Sequence, residues 1–387
     1  MIADRPAASP APTPSADIVV FEQRGPAQGP RVAYARLNAE KSLNALNLAM
    51  VEALDAQLDR WAADPAIACV VLHGAGTKGF CAGGDVRALR LEALATPDAL
   101  PNAGGLRFFS LEYRLDHRIH RYPKPILVWG GGVVMGGGLG LMAGASHRVV
   151  TPTSKVAMPE ISIGLFPDVG GSWFLSRMPQ RWGRYAAMTG AVLNAHDALA
   201  AGLADYLLRD EDREALFDAL PRLDWSGDAA ADRARLAYAL QPYCAAARGL
   251  LPESNLLKHS ATIAEAVEGS FARACAQLLA YDGDDAWLAR NAQTLRAGSP
   301  STAALSWEAQ QRAESMTLPE VLRMELGMAL HCMARPDFAE GVRALLVDKD
   351  HRPSWHPETV EAIDAAWLDG YFAPLFETTA HPLADLD

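Results

Sequence analysis

Residues 125–145 carry no charged side chain, and eight of these 21 residues are glycine. An uncharged run of this length is long enough to cross a bilayer as a helix. Glycine contributes almost no apolar surface, however, and it lets neighbouring segments approach closely. The run therefore favours a buried strand, a tight loop and a closely packed helix in a protein interior. A membrane span is the less favoured alternative.

Three patterns follow one another along the chain. Residues 1–16 are rich in Pro, Ala and Ser, which predicts a disordered tail. Strand and helix patterns then alternate from Asp17 to about Leu208, which indicates an α/β core. Beyond about Leu250 the pattern is almost purely helical. We therefore predict a tail (1–16), a core (17–250) and a helical C-terminal region (251–387).

Local signals place the first elements of the core. Residues 17–23 and 31–37 have the pattern of a β-hairpin. Asn47 stands where an N-cap is expected, ahead of a helix that residues 64–65 close. Residues 79–84 predict a glycine-rich turn.

Charge and cysteine usage exclude several classes of partner. The net charge of −11 and the pI of about 5.4 argue against nucleic acid or an anionic membrane as a partner, since both select basic surfaces. The five cysteines form no CxxC pair, and no histidine stands at metal-ligand spacing to them. Residues 1–16 resemble neither a secretory signal nor a basic transit peptide. A cytoplasmic protein without a metal site is the expectation.

Two glycine clusters, residues 79–85 and 135–140, each follow an apolar strand and lead into a helix. Glycine allows a substrate to lie against bare main chain, and amides at a helix N-terminus point their partial positive charge at it. Two such amides that converge on one point form an oxyanion hole. For either cluster taken alone, a simple tight turn is the alternative.

The second cluster also fits a dinucleotide-binding fingerprint. Residues 138–143 match G-x-G-x-x-A, and Glu160 lies twenty residues after Gly140. That fingerprint requires its first glycine at the end of a strand, whereas the predicted strand ends near Trp129. Dinucleotide binding therefore stays a minor alternative.

Two carboxylates, Glu160 and Asp168, lie in an otherwise apolar segment that proline and glycine punctuate, residues 157–171. Desolvation and mutual repulsion raise the pKa of at least one such carboxyl, which prepares a pair for work as base or nucleophile and as acid. The alternative for Asp168 is that it caps a helix that begins after residues 170–171. No G-x-S-x-G or H-E-x-x-H motif is present in the sequence.

These residues resemble the crotonase (enoyl-CoA hydratase/isomerase) superfamily. The resemblance rests on Leu37-Asn38, residues 42–46 (SLNAL), 80–85 (FCAGGD), 135–138 (MGGG) and 158–160 (MPE). It implies a spiral of ββα units, an oxyanion hole formed by the amides of Gly84 and Gly137, and possible homo-oligomers. It also implies that the main chain binds coenzyme A, as part of the substrate, at Lys41, Ser42, Leu43, Ala82, Gly83 and Asp85.

Two departures from the superfamily pattern indicate a subfamily. In the hydratases the two catalytic glutamates fall at the positions of Gly140 and Glu160, so the glycine disfavours hydration by paired glutamates. The chain is similar to the 3-hydroxyisobutyryl-CoA hydrolases at residues 164–171, 337–345 and 348–350 and at Pro353 and Trp355. This likeness implies thioester hydrolysis in valine catabolism, without a cofactor. It also implies substrate contacts at Glu112, Gly137, Glu160 and Asp168.

The resulting hypothesis assigns Glu160 either to attack on the thioester carbonyl or to activation of water, and the sequence leaves both routes open. Asp168 would orient the hydroxyl group of the substrate or handle a proton. From composition alone, Glu112 has the pattern of an exposed helix glutamate. A hydratase or isomerase of the same fold, and a non-catalytic acyl-CoA-binding protein, are the alternatives.

Overall fold

The computed structural model describes residues 17–97 and 99–387, so the predicted tail at residues 1–16 lies outside the described residues. In the described ranges the chain forms nine strands and 17 α-helices. The strands are β1 (Val19–Arg24), β2 (Arg31–Leu37), β3 (Ile67–Gly74), β4 (Gly79–Cys81), β5 (Ile126–Gly130), β6 (Val133–Met135), β7 (His147–Val150), β8 (Lys155–Ala157) and β9 (Tyr206–Leu207).

The helices lie between the strands and, after β9, follow one another to the end of the chain. They are α1 (Leu48–Ala63), α2 (Val86–Ala95), α3 (Ala103–His120), α4 (Gly137–Ala143), α5 (Gly171–Ser176), α6 (Trp182–Thr189), α7 (Ala195–Ala200), α8 (Arg213–Ala219), α9 (Ala229–Ala247), α10 (Asn255–Lys258), α11 (Ser260–Ala266), α12 (Phe271–Leu279), α13 (Ala286–Ala297), α14 (Pro300–Ala313), α15 (Leu318–Met333), α16 (Pro336–Val342) and α17 (Ala365–Asp369).

The strands form two sheets. The larger sheet has the order β1-β2-β3-β5-β7-β9, and the smaller has the order β4-β6-β8. Only the pair β1 and β2 is antiparallel among the paired strands of the described residues. From β3 to β8 successive strands alternate between the sheets, so each turn of the chain supplies one strand to each sheet. The predicted α/β class and the spiral of ββα units are confirmed.

The first elements follow the local signals in the sequence. The hairpin forms with Val19 paired to Leu37. The side chain of Asn47 accepts a hydrogen bond from the N–H of Met50, at 2.9 Å, and so caps α1. The buried residues of α1 recur at helical spacing, which sets its apolar face against the larger sheet. They are Met50, Val51, Leu54, Leu58 and Trp61.

The smaller sheet was not predicted. Its strands β4, β6 and β8 have three residues each, too few for an alternating pattern to be recognised. The expected turn at residues 79–84 is wrong in its first half, because residues 79–81 form β4. These strands nevertheless position the two glycine clusters, since β4 is the first part of residues 79–85 and β6 ends at the first residue of 135–140.

The dinucleotide alternative is not supported by the structure. The strand predicted to end near Trp129 forms as β5, but a second short strand, β6, follows it where a loop was expected and ends at Met135. The fingerprint still fails, because its first glycine, Gly138, lies inside α4 instead of in the loop before it. A Cβ atom at position 138 would lie 2.4 Å from the carbonyl oxygen of Cys81. Glycine is therefore needed here for α4 to pack against β4.

The uncharged run at residues 125–145 folds as β5, β6 and α4. Across residues 17–97 and 99–387, no helix combines the length and the apolar character that crossing a membrane requires.

The helices after β9 pack against the α/β part. Helix α15 contacts α3, α14 contacts α5 and α6, and α16 contacts α2. Leu326 and Phe338 are fully buried in the same apolar cluster as the residues of α1 and β3. The helical character expected beyond Leu250 is confirmed, while the boundary between residues 250 and 251 stays a prediction.

Asn44 provides a test of the loop between β2 and α1. It is 1% exposed and has φ +58°, and its side chain bonds the N–H of Ala39 and the carbonyl oxygens of Ala75 and Gly79. Asn44→Ala leaves these three groups without partners, so we expect a loss of roughly 3 kcal/mol in the free energy of unfolding, measured in urea. Asn38→Ala removes one exposed hydrogen bond and should cost about 0.5 kcal/mol. Equal losses would contradict this account.

Candidate active site

The first backbone N–H group of interest is that of Gly84, which lies where residues 43–46 pair with residues 82–85. The N–H of Leu46 donates to the carbonyl of Gly83 at 2.8 Å, and the N–H of Asp85 donates to the carbonyl of Leu46 at 2.7 Å. Leu46 thus bonds the residues on either side of Gly84. The N–H of Gly84 has no acceptor in the described part of the chain.

The second free amide belongs to Gly137, the first residue of α4. The first amides of a helix have no partner within the helix, and that of Gly137 has no other acceptor among the described residues. A Cβ atom at position 137 would lie 3.5 Å from the nitrogen of Gly84. The two amides are therefore neighbours, as an oxyanion hole requires.

A cavity of about 760 Å³ opens over these amides. All but one of the residues proposed for the site line it: Lys41, Ser42, Ala82, Gly83, Gly84, Asp85, Glu112, Gly137, Glu160 and Asp168. The exception in the described chain is Leu43. Its carbonyl accepts from the N–H of Ala82 at 3.0 Å, so its visible role is to hold the loop against the first glycine cluster.

Two cations, Lys41 and Arg87, are among the described residues that line the cavity. A guanidinium nitrogen of Arg87 donates to the carbonyl of Leu346 at 2.9 Å, which ties α2 to the C-terminal region. Asp85 caps α2, because its side chain accepts from the N–H of Ala88 at 3.2 Å. Leu345 and Leu346 also line the cavity, so the C-terminal region forms part of its wall.

The carboxyl groups of Glu112 and Glu160 lie against the second glycine cluster. A Cβ atom at Gly137 would lie 2.4 Å from Oε1 of Glu112, and one at Gly136 would lie 3.0 Å from Oε1 of Glu160. The two carboxyl groups therefore approach the oxyanion amides only because residues 136–137 lack side chains. Glu112 is 2% exposed, so the alternative that it is an exposed helix residue is wrong.

The surroundings of these two glutamates favour their neutral forms. Burial raises the pKa of Glu112 and that of Glu160 well above the usual range, and the charge of Asp168 raises both further. Oε1 of Glu112 and Oε2 of Glu160 have no hydrogen-bond partner among residues 17–97 and 99–387. The surroundings of the site thus favour the protonated forms of these two carboxyl groups.

Asp168 lines the same cavity and lies on the turn before α5. It accepts a hydrogen bond from the hydroxyl of Tyr113 at 2.8 Å. Burial raises the pKa of Asp168 to about 6, and the hydrogen bond from Tyr113 opposes that rise. The N-cap of α5 is Gly170, so the alternative role of Asp168 as a helix cap is not supported.

Three buried polar residues of this region were missed: Tyr113, Asp116 and Glu325. Asp116 follows Glu112 by four residues on α3 and shares its face, a signal that the sequence did contain. Glu325 falls on the apolar face of α15, beside the buried Leu322 and Leu326. Burial raises the pKa of Asp116 well above its usual range and that of Glu325 to about 8.

Removal of the Tyr113 hydroxyl tests whether its hydrogen bond lowers the pKa of Asp168. In Tyr113→Phe the charged form of Asp168 loses a donor, so its pKa should rise above the value of about 6. A titration of labelled aspartate carboxyl groups by 13C NMR measures this change. Tyr122→Phe, which removes a hydroxyl bonded to the carbonyl of Leu58, is the matched control. An unshifted Asp168 titration in Tyr113→Phe would be inconsistent with this geometry.

Comparison with known proteins agrees with this geometry. The enoyl-CoA hydratase/isomerase family model matches residues 32–372. The mitochondrial 3-hydroxyisobutyryl-CoA hydrolase of Xenopus tropicalis is 36% identical over 339 residues, which cover 88% of this chain and 86% of the relative. The human protein of the same name is 32% identical over 364 residues, with coverages of 94% and 90%.

A solved structure extends the similarity to the fold. A carnitinyl-CoA dehydratase from Mycobacterium thermoresistibile aligns with a TM-score of 0.81 at 34% identity, over 93% of this chain and 97% of that one. Sequence and fold thus agree over nearly the whole described chain. The chain belongs to the enoyl-CoA hydratase/isomerase family.

Proposed function

We propose that this enzyme hydrolyses the thioester of 3-hydroxyisobutyryl-CoA, or of a closely related short 3-hydroxyacyl-CoA, to the free acid and coenzyme A. The observation that carries the proposal is the pair of free amides, Gly84 and Gly137, beside the buried carboxyl group of Glu160. The 36% identity to a 3-hydroxyisobutyryl-CoA hydrolase supports the choice of substrate.

In this mechanism the thioester oxygen accepts hydrogen bonds from the amides of Gly84 and Gly137. Those amides stabilise the negative charge that develops on the oxygen when the carbonyl carbon is attacked. Glu160 either takes a proton from the attacking water or attacks the carbon itself to give an anhydride, which water then cleaves. In both routes the C–S bond breaks and coenzyme A leaves as the thiolate.

Burial gives Glu160 the property that either route needs. Its pKa is raised well above the usual range, so the ionised form that both routes require is less populated, but it is a stronger base and nucleophile than an exposed carboxylate. Asp168, whose pKa is about 6, is ionised at neutral pH and accepts a hydrogen bond from the hydroxyl group of the substrate. That contact would select 3-hydroxyacyl groups, since a site built for a hydroxyl rejects a substrate without one.

The remaining cavity suits the coenzyme. Lys41 and Arg87 supply positive charge for its phosphates. The main chain at residues 41–43 and 82–85 would bind its other polar groups. Positive charge at these two positions provides the local basic patch that an acidic protein needs for an anionic ligand.

A hydratase or isomerase is the second candidate. The fold agreement with a carnitinyl-CoA dehydratase favours it. Gly140 disfavours a hydratase, since hydration by paired glutamates needs a carboxyl group at position 140. Oδ1 of Asp116 would lie 3.1 Å from a Cβ atom at position 140, but Asp116 is not among the described residues that line the cavity.

The relatives named above are mitochondrial proteins, and the cytoplasmic location of this chain stays a prediction. Homo-oligomer formation, expected from the family resemblance, is likewise a prediction.

The proposal is tested by release of free thiol from 3-hydroxyisobutyryl-CoA, run beside hydration of crotonyl-CoA. We expect thiol release by the purified protein and no loss of the enoyl-thioester absorbance. Glu160→Gln should lower kcat by at least about 10²-fold while it leaves ligand binding nearly intact, because the charge is lost and the shape is kept.

The matched control is Glu268→Gln, which changes an exposed glutamate whose side chain is 66% exposed. It should turn over as the wild type does. Hydration without thiol release would show the second candidate to be correct, and full turnover by Glu160→Gln would remove Glu160 from the mechanism.

A further inference from the structure

The turn that carries Asp168 has an unusual backbone. Val169 has φ +54° and Gly170 has φ +81°. A β-branched residue in the left-handed region is strained, and such a conformation persists only where the surrounding structure enforces it. Two residues from distant segments of the chain bear on it here: one holds the turn by hydrogen bonds, and the other leaves the room that the turn needs.

The first is Glu325 on α15. Its Oε2 accepts from the N–H of Gly170 at 2.7 Å, and its Oε1 accepts from the N–H of Ser172 at 2.8 Å. Glu325 is fully buried. Both of its oxygens are thus committed to the backbone that follows Asp168, at the start of α5. The C-terminal region therefore holds the far side of this turn with two hydrogen bonds.

The second is Gly140 on α4. A Cβ atom at position 140 would lie 2.7 Å from Cβ of Val169 and 2.9 Å from its Cγ2. Any side chain at position 140 would therefore displace Val169, and with it the neighbouring Asp168. Gly140 occupies the position of a catalytic glutamate in the hydratases. In this chain its missing side chain leaves the space that Val169 fills.

We propose that Glu325 and Gly140 are positioning residues that together fix the Asp168 turn, and thereby set the preference of the enzyme for acyl groups that carry a 3-hydroxyl group. This inference rests on the proposed function, since it assigns the hydroxyl contact to Asp168. It goes beyond that function by naming what places Asp168. A carboxyl group at position 140 and Asp168 in its present place exclude each other.

Neither positioning residue is among the described residues that line the cavity, so each acts through Asp168. Misplacement of an orienting group by about 1 Å can lower a rate about 10²-fold. A substrate without the hydroxyl makes no such contact and should lose much less. The ratio of kcat/KM for 3-hydroxyisobutyryl-CoA to that for isobutyryl-CoA therefore separates positioning from a general loss of stability.

The experiment compares Glu325→Gln, Gly140→Ala and the double variant Gly140→Ala/Val169→Gly by this ratio and by their crystal structures. Gly327→Ala is the control, since it lies on the same helix as Glu325 and a Cβ atom there has no neighbour within 4 Å. We expect the ratio to fall at least about tenfold in the two single variants and to recover in the double variant. The ratio should be unchanged in the control.

Crystal structures of the same variants report the turn whatever thioester the enzyme prefers. The inference requires Asp168 to be displaced in both single variants and restored in the double variant. An unmoved turn, or an unchanged ratio in an enzyme that hydrolyses both thioesters, would overturn it. Absence of thiol release by the wild type would remove the proposed function instead, and with it the assigned selectivity. If Glu325→Gln does not fold, the Gly140 pair of variants decides.

Discussion

The close approach of α4 to its neighbours is the constraint on which the site depends. Gly137 leaves room for the carboxyl group of Glu112, Gly138 for the backbone of Cys81 and Gly140 for Val169. A side chain at any of the three would push apart a pair of elements that the site needs in contact. The same helix start leaves the amide of Gly137 without an acceptor in the described structure, next to that of Gly84. Close packing of α4 and access of the substrate to the amide of Gly137 thus both require residues without side chains at the start of this helix.

The buried carboxyl groups give the site its electrostatic character. Glu112, Asp116, Glu160, Asp168 and Glu325 are each at most 5% exposed. Burial is the largest cause of the raised pKa of every one of them, and the charge of Asp168 adds to it in the other four. Few of these groups can be ionised together, because like charges in a poorly solvated region repel strongly. Ionisation of Asp168, whose pKa is about 6, therefore favours the neutral forms of its neighbours.

Much of the fold was predictable from the sequence, because its signals are local. The cap at Asn47, the hairpin and the long helices α3, α14 and α15 follow from patterns within single elements. The smaller sheet was not predictable, since strands of three residues carry no period. Pairing of β4 with β6 also depends on contacts between segments more than fifty residues apart.

Some residues of the candidate site were likewise predictable from the sequence, and others were not. The glycine clusters and the pair of Glu160 and Asp168 stand out as motifs, and the family resemblance added Glu112. Asp116 lies one helical turn from Glu112, so its position could have been inferred. Glu325 could not, because only the folded chain brings α15 to the amides of residues 170 and 172. A buried carboxylate on an apolar helix face is a signal that something must bind it, but it does not name the partner.

In the proposed mechanism the amides of Gly84 and Gly137 bind the thioester oxygen. The most direct measurement is a crystal structure of Glu160→Gln with 3-hydroxyisobutyryl-CoA bound. We predict that the carbonyl oxygen lies about 3 Å from both amide nitrogens. A carbonyl oxygen placed elsewhere, with the two amides bonded to water or to another part of the ligand, would contradict the account.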